Sequence, residues 1–188
     1  IGLTRMPDAV DAWTSHGLAL ERDDVLTTTT LPRQTPCPEG YSVRPLAEPD
    51  WQASLARAIA ENTRTREHDA DGFAQFAQRR TQSRRALVEQ GHAQWFGAFD
   101  DDGTLVADLG IVLCDSTARY QDVGTDAAHR GRGLATHLLG VAAQWAAARD
   151  CTQWVIVTEE TNPAGRVYRS LGFAPDTGIV QAYRTPPR

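Results

Sequence analysis

Apolar and polar positions change period several times along this chain, and each change marks an element. "DAVDAW" reads as a short helix stopped by Gly17, and the strand after it ends in four threonines, residues 27–30. The proline-rich run "LPRQTPCPEG" then breaks the pattern as a linker. "YSVRPL" alternates as a strand, and "EPDWQASLARAIAEN" puts Leu55 and Ile59 on one helical face behind Asp50 as a cap. A second helix is predicted over 71–90, with Phe73, Phe76, Leu87 and Val88 at helical spacing. "AQWFGAFDDDGTLVADLGIVLC" gives two strands joined at "DDDG", and "ARYQDVGT" a third. A helix over 133–149 carries Leu134, Leu138, Val141, Trp145 and Ala148 in one stripe. "TQWVIVTEE" has the nearly continuous apolar run of a strand buried on both faces. "NPAGRVYRSLGF" is a short helix between Pro163 and Gly172, and "GIVQAYRT" closes as a strand.

The order β-α-α-β-β-β-α-β-α-β predicts a mixed α/β sheet, an antiparallel meander followed by a parallel β-α-β unit. A helix-strand extension over 1–31 and a linker over 32–40 precede the main domain, 41–188. The chain opens on Ile1 rather than methionine, which reads as a piece of a longer one.

Charge narrows the class of partner. A formal net charge of -5 argues against a broad phosphate-contacting surface, so no nucleic-acid partner is expected. All 19 basic residues are arginine, so a Walker A lysine and Schiff-base chemistry are excluded. Arg79, Arg80, Arg84 and Arg85 form a band on the second helix that reads as a solvated face. The three cysteines have no metal-ligand spacing and read as small core residues in a reducing, cytoplasmic compartment; no metal is expected. With no run of 18 apolar residues and no leader pattern, no membrane association is expected.

The candidate chemistry lies in "VGTDAAHRGRGLATHLLGVAAQW". A strand running through a glycine turn into a helix aims free N–H groups and the positive end of the helix dipole at one point, which suits a phosphate. Gly131 and Gly133 allow close approach, and Arg130 and Arg132 add charge at the rim. A dinucleotide fingerprint would need glycine or alanine at Thr136 and an early parallel unit, and neither is present.

These residues resemble the GNAT superfamily of acyl-CoA-dependent N-acyltransferases. Its Arg/Gln-x-x-Gly-x-Gly/Ala signature is matched by Arg130, Gly133 and Ala135, and its tyrosine helix ending in Gly-Phe by Tyr168, Gly172 and Phe173 in "VYRSLGF". The resemblance covers residues 41–185 and implies transfer of acetyl from acetyl-CoA to an amine of a small molecule or peptide, by an enzyme that can be a homodimer. It further implies that the backbone of Val123 and Thr125 pairs with the pantetheine arm. The turn from Arg130 through Gly131, Arg132, Gly133 and Leu134 to Ala135 would hold the pyrophosphate, and Tyr168 would protonate the departing thiolate. Two other readings stay open: a non-catalytic acyl-CoA-binding module, or an N-acetyltransferase acting on proteins.

The sequence departs from the family in two places. An asparagine is expected seven residues before the tyrosine, but Asn162 stands six before Tyr168, where it is either a cofactor contact or a helix cap. The general base is not evident. Alternation along "ARYQDVGT" puts Arg119, Gln121, Val123 and Thr125 on one face and turns Asp122 away. Gln121 is therefore expected to position a water, with Glu61 or His68 as terminal base. Arg119 is expected to bind a substrate carboxylate or to form a salt bridge within the sheet.

A shift of 155 residues lays "AVDAWTSHGLALERDDVLTTTT" over "AGRVYRSLGFAPDTGIVQAYRT" without a gap. Ala9, Ser15, Gly17, Ala19, Val25 and Thr30 match identically, and Trp13 falls on Tyr168. Residues 1–31 are thus expected to be the tail of an upstream GNAT-like half, or a degenerate copy, with a structural role.

Overall fold

The structure, a computed structural model, describes residues 2–3, 5–65 and 69–183. Its elements are β1 (Gly2–Leu3), α1 (Val10–Ser15), β2 (Ala19–Thr28), β3 (Tyr41–Pro45), α2 (Asp50–Thr65), α3 (Ala70–Glu89), β4 (Ala93–Asp100), β5 (Leu105–Cys114), β6 (Thr117–Thr125), α4 (Leu134–Ala147), β7 (Gln153–Glu159), α5 (Ala164–Ser170) and β8 (Ala174–Tyr183). One eight-stranded sheet holds them in the order β1-β8-β2-β7-β6-β5-β4-β3. Pairing is antiparallel throughout except between β6 and β7, so the meander and the parallel unit both form as expected.

The sheet separates two layers. On one face α4 and α5 cover the main core, where Leu109, Ile111, Leu138, Leu139, Trp154 and Ile156 are buried. On the other, α2 and α3 seal a smaller cluster around Trp51, Trp95 and Phe99. The ring of Trp95 lies across Gly110, where a Cβ would come within 2.2 Å of it, so only glycine fits beneath that indole. The buried stripe of α4 is Leu134, Leu138, Leu139, Ala142, Ala143 and Ala146. It is rotated from the expected one, because the helix packs across several strands and Ala148 is left exposed.

Three further expectations are corrected. β7 is buried on one face only, with Gln153, Val155 and Val157 half-open and Glu159 exposed on the other, because α5 packs on it from one side while α2 and α3 lie over β5 and β4. Of the cysteines only Cys151 is buried, while Cys37 and Cys114 are exposed at loop and strand ends. The arginine band on α3 is engaged: Arg80 and Arg84 both pair with Asp122 and Arg85 pairs with Glu48, since α3 packs against α2 and β4 and these side chains reach carboxylates on neighbouring elements rather than facing solvent alone.

The opening segment lies inside the sheet. β2 runs between β7 and β8, antiparallel to both, with Asp23 opposite Glu159 on one side and Ile179 on the other. Shifted by 155 residues, the bounds of α1 and β2 become 165–170 and 174–183, which fall on α5 and β8. The proline-rich run then follows α4: the Gln34 amide donates to the Gly140 carbonyl at 3.0 Å, and His137 meets the Thr35 carbonyl at 2.7 Å. Among the described residues no helix is long and apolar enough to cross a membrane.

Candidate active site

A bulge in β6 shapes the site. The register with β5 moves from Asp108↔Gly124 to Gly110↔Gln121, so Asp122 and Val123 together face Leu109. Asp122 takes the extra turn with φ at 52°, a left-handed conformation that aspartate tolerates better than most residues. On the other side, pairing with β7 covers only Thr117–Arg119 in β6. Beyond that point the two strands diverge, leaving a cavity of about 340 Å³.

Tyr168, Asn162, Arg119, Gln121 and Val123 all line this cavity, so five of the residues singled out in the sequence meet in one place. Asp122 lines it too, which corrects the expectation that it points away: the bulge breaks the alternation on which that expectation rested. Its carboxylate is held there by Arg80 and Arg84 of α3. Arg119 is exposed and forms no hydrogen bond or ion pair with any described residue, so the salt-bridge alternative is not what the structure shows. The Tyr168 phenol is pushed up to about 12 by burial, which keeps it protonated and able to donate.

Next to the cavity stands the glycine turn. Gly131 and Gly133 have φ of 74° and 84°, and no atom crowds a Cβ at Gly131. Gly133 is the N-cap of α4 and supplies no capping side chain, so the first N–H groups of the helix stay available to an anion. Both arginines of the turn are anchored. Arg130 donates to the Thr125 carbonyl at 2.9 Å and to Glu61 at 2.7 Å. Arg132 donates to the Tyr41 hydroxyl at 3.0 Å, and that hydroxyl also meets His129 at 2.9 Å. Leu134 is buried in the main core and fixes the start of the helix; Ala135 follows it in the first turn. Uncapped N–H groups, two uncrowded glycines, two fixed cations and an open strand edge at Val123 suit an acyl-CoA.

Asn162 acts locally as a cap: its Oδ1 accepts the Ala164 N–H at 2.9 Å. Glu61 is not suited to be a base. Hydrogen bonds from Arg64 and then Arg130 hold its carboxyl down at about 2, and it braces the turn rather than the cavity. His68 lies outside the described residues.

Two groups were missed in the sequence. Asp108 is 5% exposed and binds Arg57 and the Ser54 hydroxyl of α2, tying that helix to the sheet. Asp23 of β2, 6% exposed, lines the same cavity as Tyr168. No local pattern marks Asp23, since it reaches the site only through a pairing with β7 more than a hundred residues away.

Comparison with known proteins agrees with this geometry. The family described as "Acetyltransferase (GNAT) family" matches residues 51–173. No curated protein matches the sequence significantly. Among solved structures, a GCN5-related N-acetyltransferase from Sphaerobacter thermophilus superposes with a TM-score of 0.67 at 23% identity, over 95% of this chain and 56% of that one. A tandem GNAT protein from the clavulanic acid biosynthesis pathway gives 0.64 at 18%, over 98% and 60%. The PaiA N-acetyltransferase of Thermoplasma acidophilum, in complex with coenzyme A, gives 0.61 at 14%, over 76% and 99%. The first two are thus matched over less than two thirds of their own length, and at these identities the likeness is one of fold.

Proposed function

Because the chain belongs to the GNAT acetyltransferase family, we propose that it transfers the acetyl group of acetyl-CoA directly to an amine of a small molecule or peptide. The observation that carries this reading is the cavity between the diverging strands, lined both by the protonated Tyr168 and by β6. The turn from Arg130 to Ala135 binds the pyrophosphate through helix N–H groups and fixed cations. The Val123 backbone pairs with the pantetheine arm; at Thr125 the carbonyl already accepts from Arg130, so only its N–H side contributes. Tyr168 protonates the leaving thiolate, Gln121 orients a water toward the amine, and Arg119, a cation without a partner among the described residues, receives an acceptor carboxylate.

The coincidence of α1–β2 with α5–β8 under the 155-residue shift supports reading residues 1–31 as a GNAT-like tail, with residues 32–40 as linker and 41–188 as the catalytic domain. Trp13 at the position of Tyr168 removes the phenol from that copy. The test is thiol release from acetyl-CoA against a panel of amines, run beside calorimetric binding of acetyl-CoA. Turnover of an amine is expected. Tight binding with no turnover on any amine would favour a non-catalytic acyl-CoA-binding module.

A further inference from the structure

The described residues contain two buried carboxylates, and they are held differently. Asp108 faces Arg57 and the Ser54 hydroxyl. Asp23 accepts a hydrogen bond from the neutral amide of Gln181 and pairs with no cation among the described residues. Its neighbour Asp24 pairs with Arg169 at 2.9 Å, and Asp122 across the cavity holds two arginines. A buried anion without a counter-charge is costly to keep unless a cation visits it. Asp23 sits where a visitor would arrive: on the wall of the Tyr168 cavity, directly across from Glu159, with Arg119 and Asp122 on β6 as the other charged groups lining the space.

We propose that Asp23 receives the acceptor amine as its ammonium ion and accepts its proton, so that the N-terminal strand completes the active site. The inference rests on the transferase reading above and narrows the acceptor to aliphatic amines, which are cations at neutral pH, over neutral arylamines. One N–H proton passes from the ammonium to the Asp23 carboxylate, freeing the nitrogen lone pair. That pair forms the C–N bond at the thioester carbonyl carbon, and the C–S bond breaks with its electrons going to sulfur. Sulfur takes the Tyr168 proton, the nitrogen returns one to the phenolate, and Asp23 loses its own to solvent. Acetyl-CoA and the ammonium ion become amide, coenzyme A thiol and one released proton.

Asp23→Asn tests this by steady-state thiol release with an aliphatic amine that the wild type acetylates and with an arylamine, beside acetyl-CoA calorimetry and thermal melting. The expected result is a fall of about 100-fold or more in kcat/KM for the aliphatic amine, with the arylamine and acetyl-CoA affinity nearly unchanged. The melting temperature should hold or rise, because an uncompensated charge is removed. Wild-type kcat/KM for the aliphatic amine should stay nearly level between about pH 7 and 9, whereas the variant should gain about tenfold per unit as free amine accumulates. Should the Asn variant fold poorly, Asp23→Ser should give the same selective loss. Equal loss on both amine classes, or wild-type turnover in the variant, would overturn the assignment. A wild type that binds acetyl-CoA but acetylates no amine refutes the transferase reading instead, so the two failures are distinguishable.

Discussion

Replacing Tyr168 by phenylalanine is a clean perturbation, because the structure separates its chemical cost from its structural one. The ring is 6% exposed within the main core, yet the hydroxyl makes no hydrogen bond with any described residue. Phenylalanine keeps the packing and leaves no partner orphaned, so stability should change by no more than about 0.5 kcal/mol. For a chain of this size that is about 1–2 °C in melting temperature. If the phenol is the acid, kcat should fall by about 10²–10⁴, or ~2.7–5.4 kcal/mol of barrier. Acetyl-CoA affinity should hold, since the hydroxyl meets a group that becomes charged only as the thiolate leaves. Burial places the phenol at about 12, so its proton is retained through the working range. Wild-type kcat should therefore show no alkaline fall up to about pH 10. The assay is thiol release at saturating acetyl-CoA with the acceptor varied, beside calorimetry and melting curves. A kcat within threefold of wild type in a variant that binds and melts normally would refute Tyr168 as the acid; an alkaline fall near pH 9 would refute its assignment as a buried, protonated donor.

Three other outcomes follow from the geometry. Asp108→Asn leaves the buried Arg57, among the described residues, with Asp126 at 3.1 Å as its remaining carboxylate, and should cost about 2–4 kcal/mol, read as a fall of roughly 5–15 °C in melting temperature. Glu61 has its folded value lowered from 4.5 to about 2, so its stabilising effect is present above about pH 4.5 and lost as pH falls toward 2; Glu61→Gln should flatten melting temperature against pH in that window. Arg119→Ala should impair a carboxylated acceptor by tenfold or more and spare its amidated analogue, and equal loss on both would exclude carboxylate recognition.

Local chemistry made most of this fold legible. "DDDG" marked the β4–β5 hairpin, the Gly131–Gly133 spacing marked the helix-entry turn, and Pro163 with Gly172 bracketed α5. Tyr168 could be named because it sits in a recognisable helix. Two features escaped for physical reasons. The alternation rule fails at Asp122, since a bulge depends on which register the partner strand accepts, and nothing in "ARYQDVGT" states it. Asp23 escaped because a strand's neighbours are chosen by long-range pairing: β2 reads locally as a strand but carries no sign that β7 and β8 will flank it. The face of α3 was misjudged for a related reason, since the arginines that look solvated in isolation meet a carboxylate supplied by another element.

Placing β2 between β7 and β8 also has a kinetic cost. This strand of the opening segment seals a gap whose two walls are among the last elements of the chain, so its hydrogen bonds close loops spanning most of the molecule. Such loops carry a large closure entropy and raise contact order, which slows folding. Hairpins such as β4–β5 can form while the chain is being synthesised, whereas β2 must wait for β8 to emerge. Until then the unpaired edges of β2 and β7 are the surfaces on which a nascent chain would pair wrongly with its neighbours. Sealing that seam also brings Asp23 to the Tyr168 cavity, so the slowest contact to form completes the cavity wall.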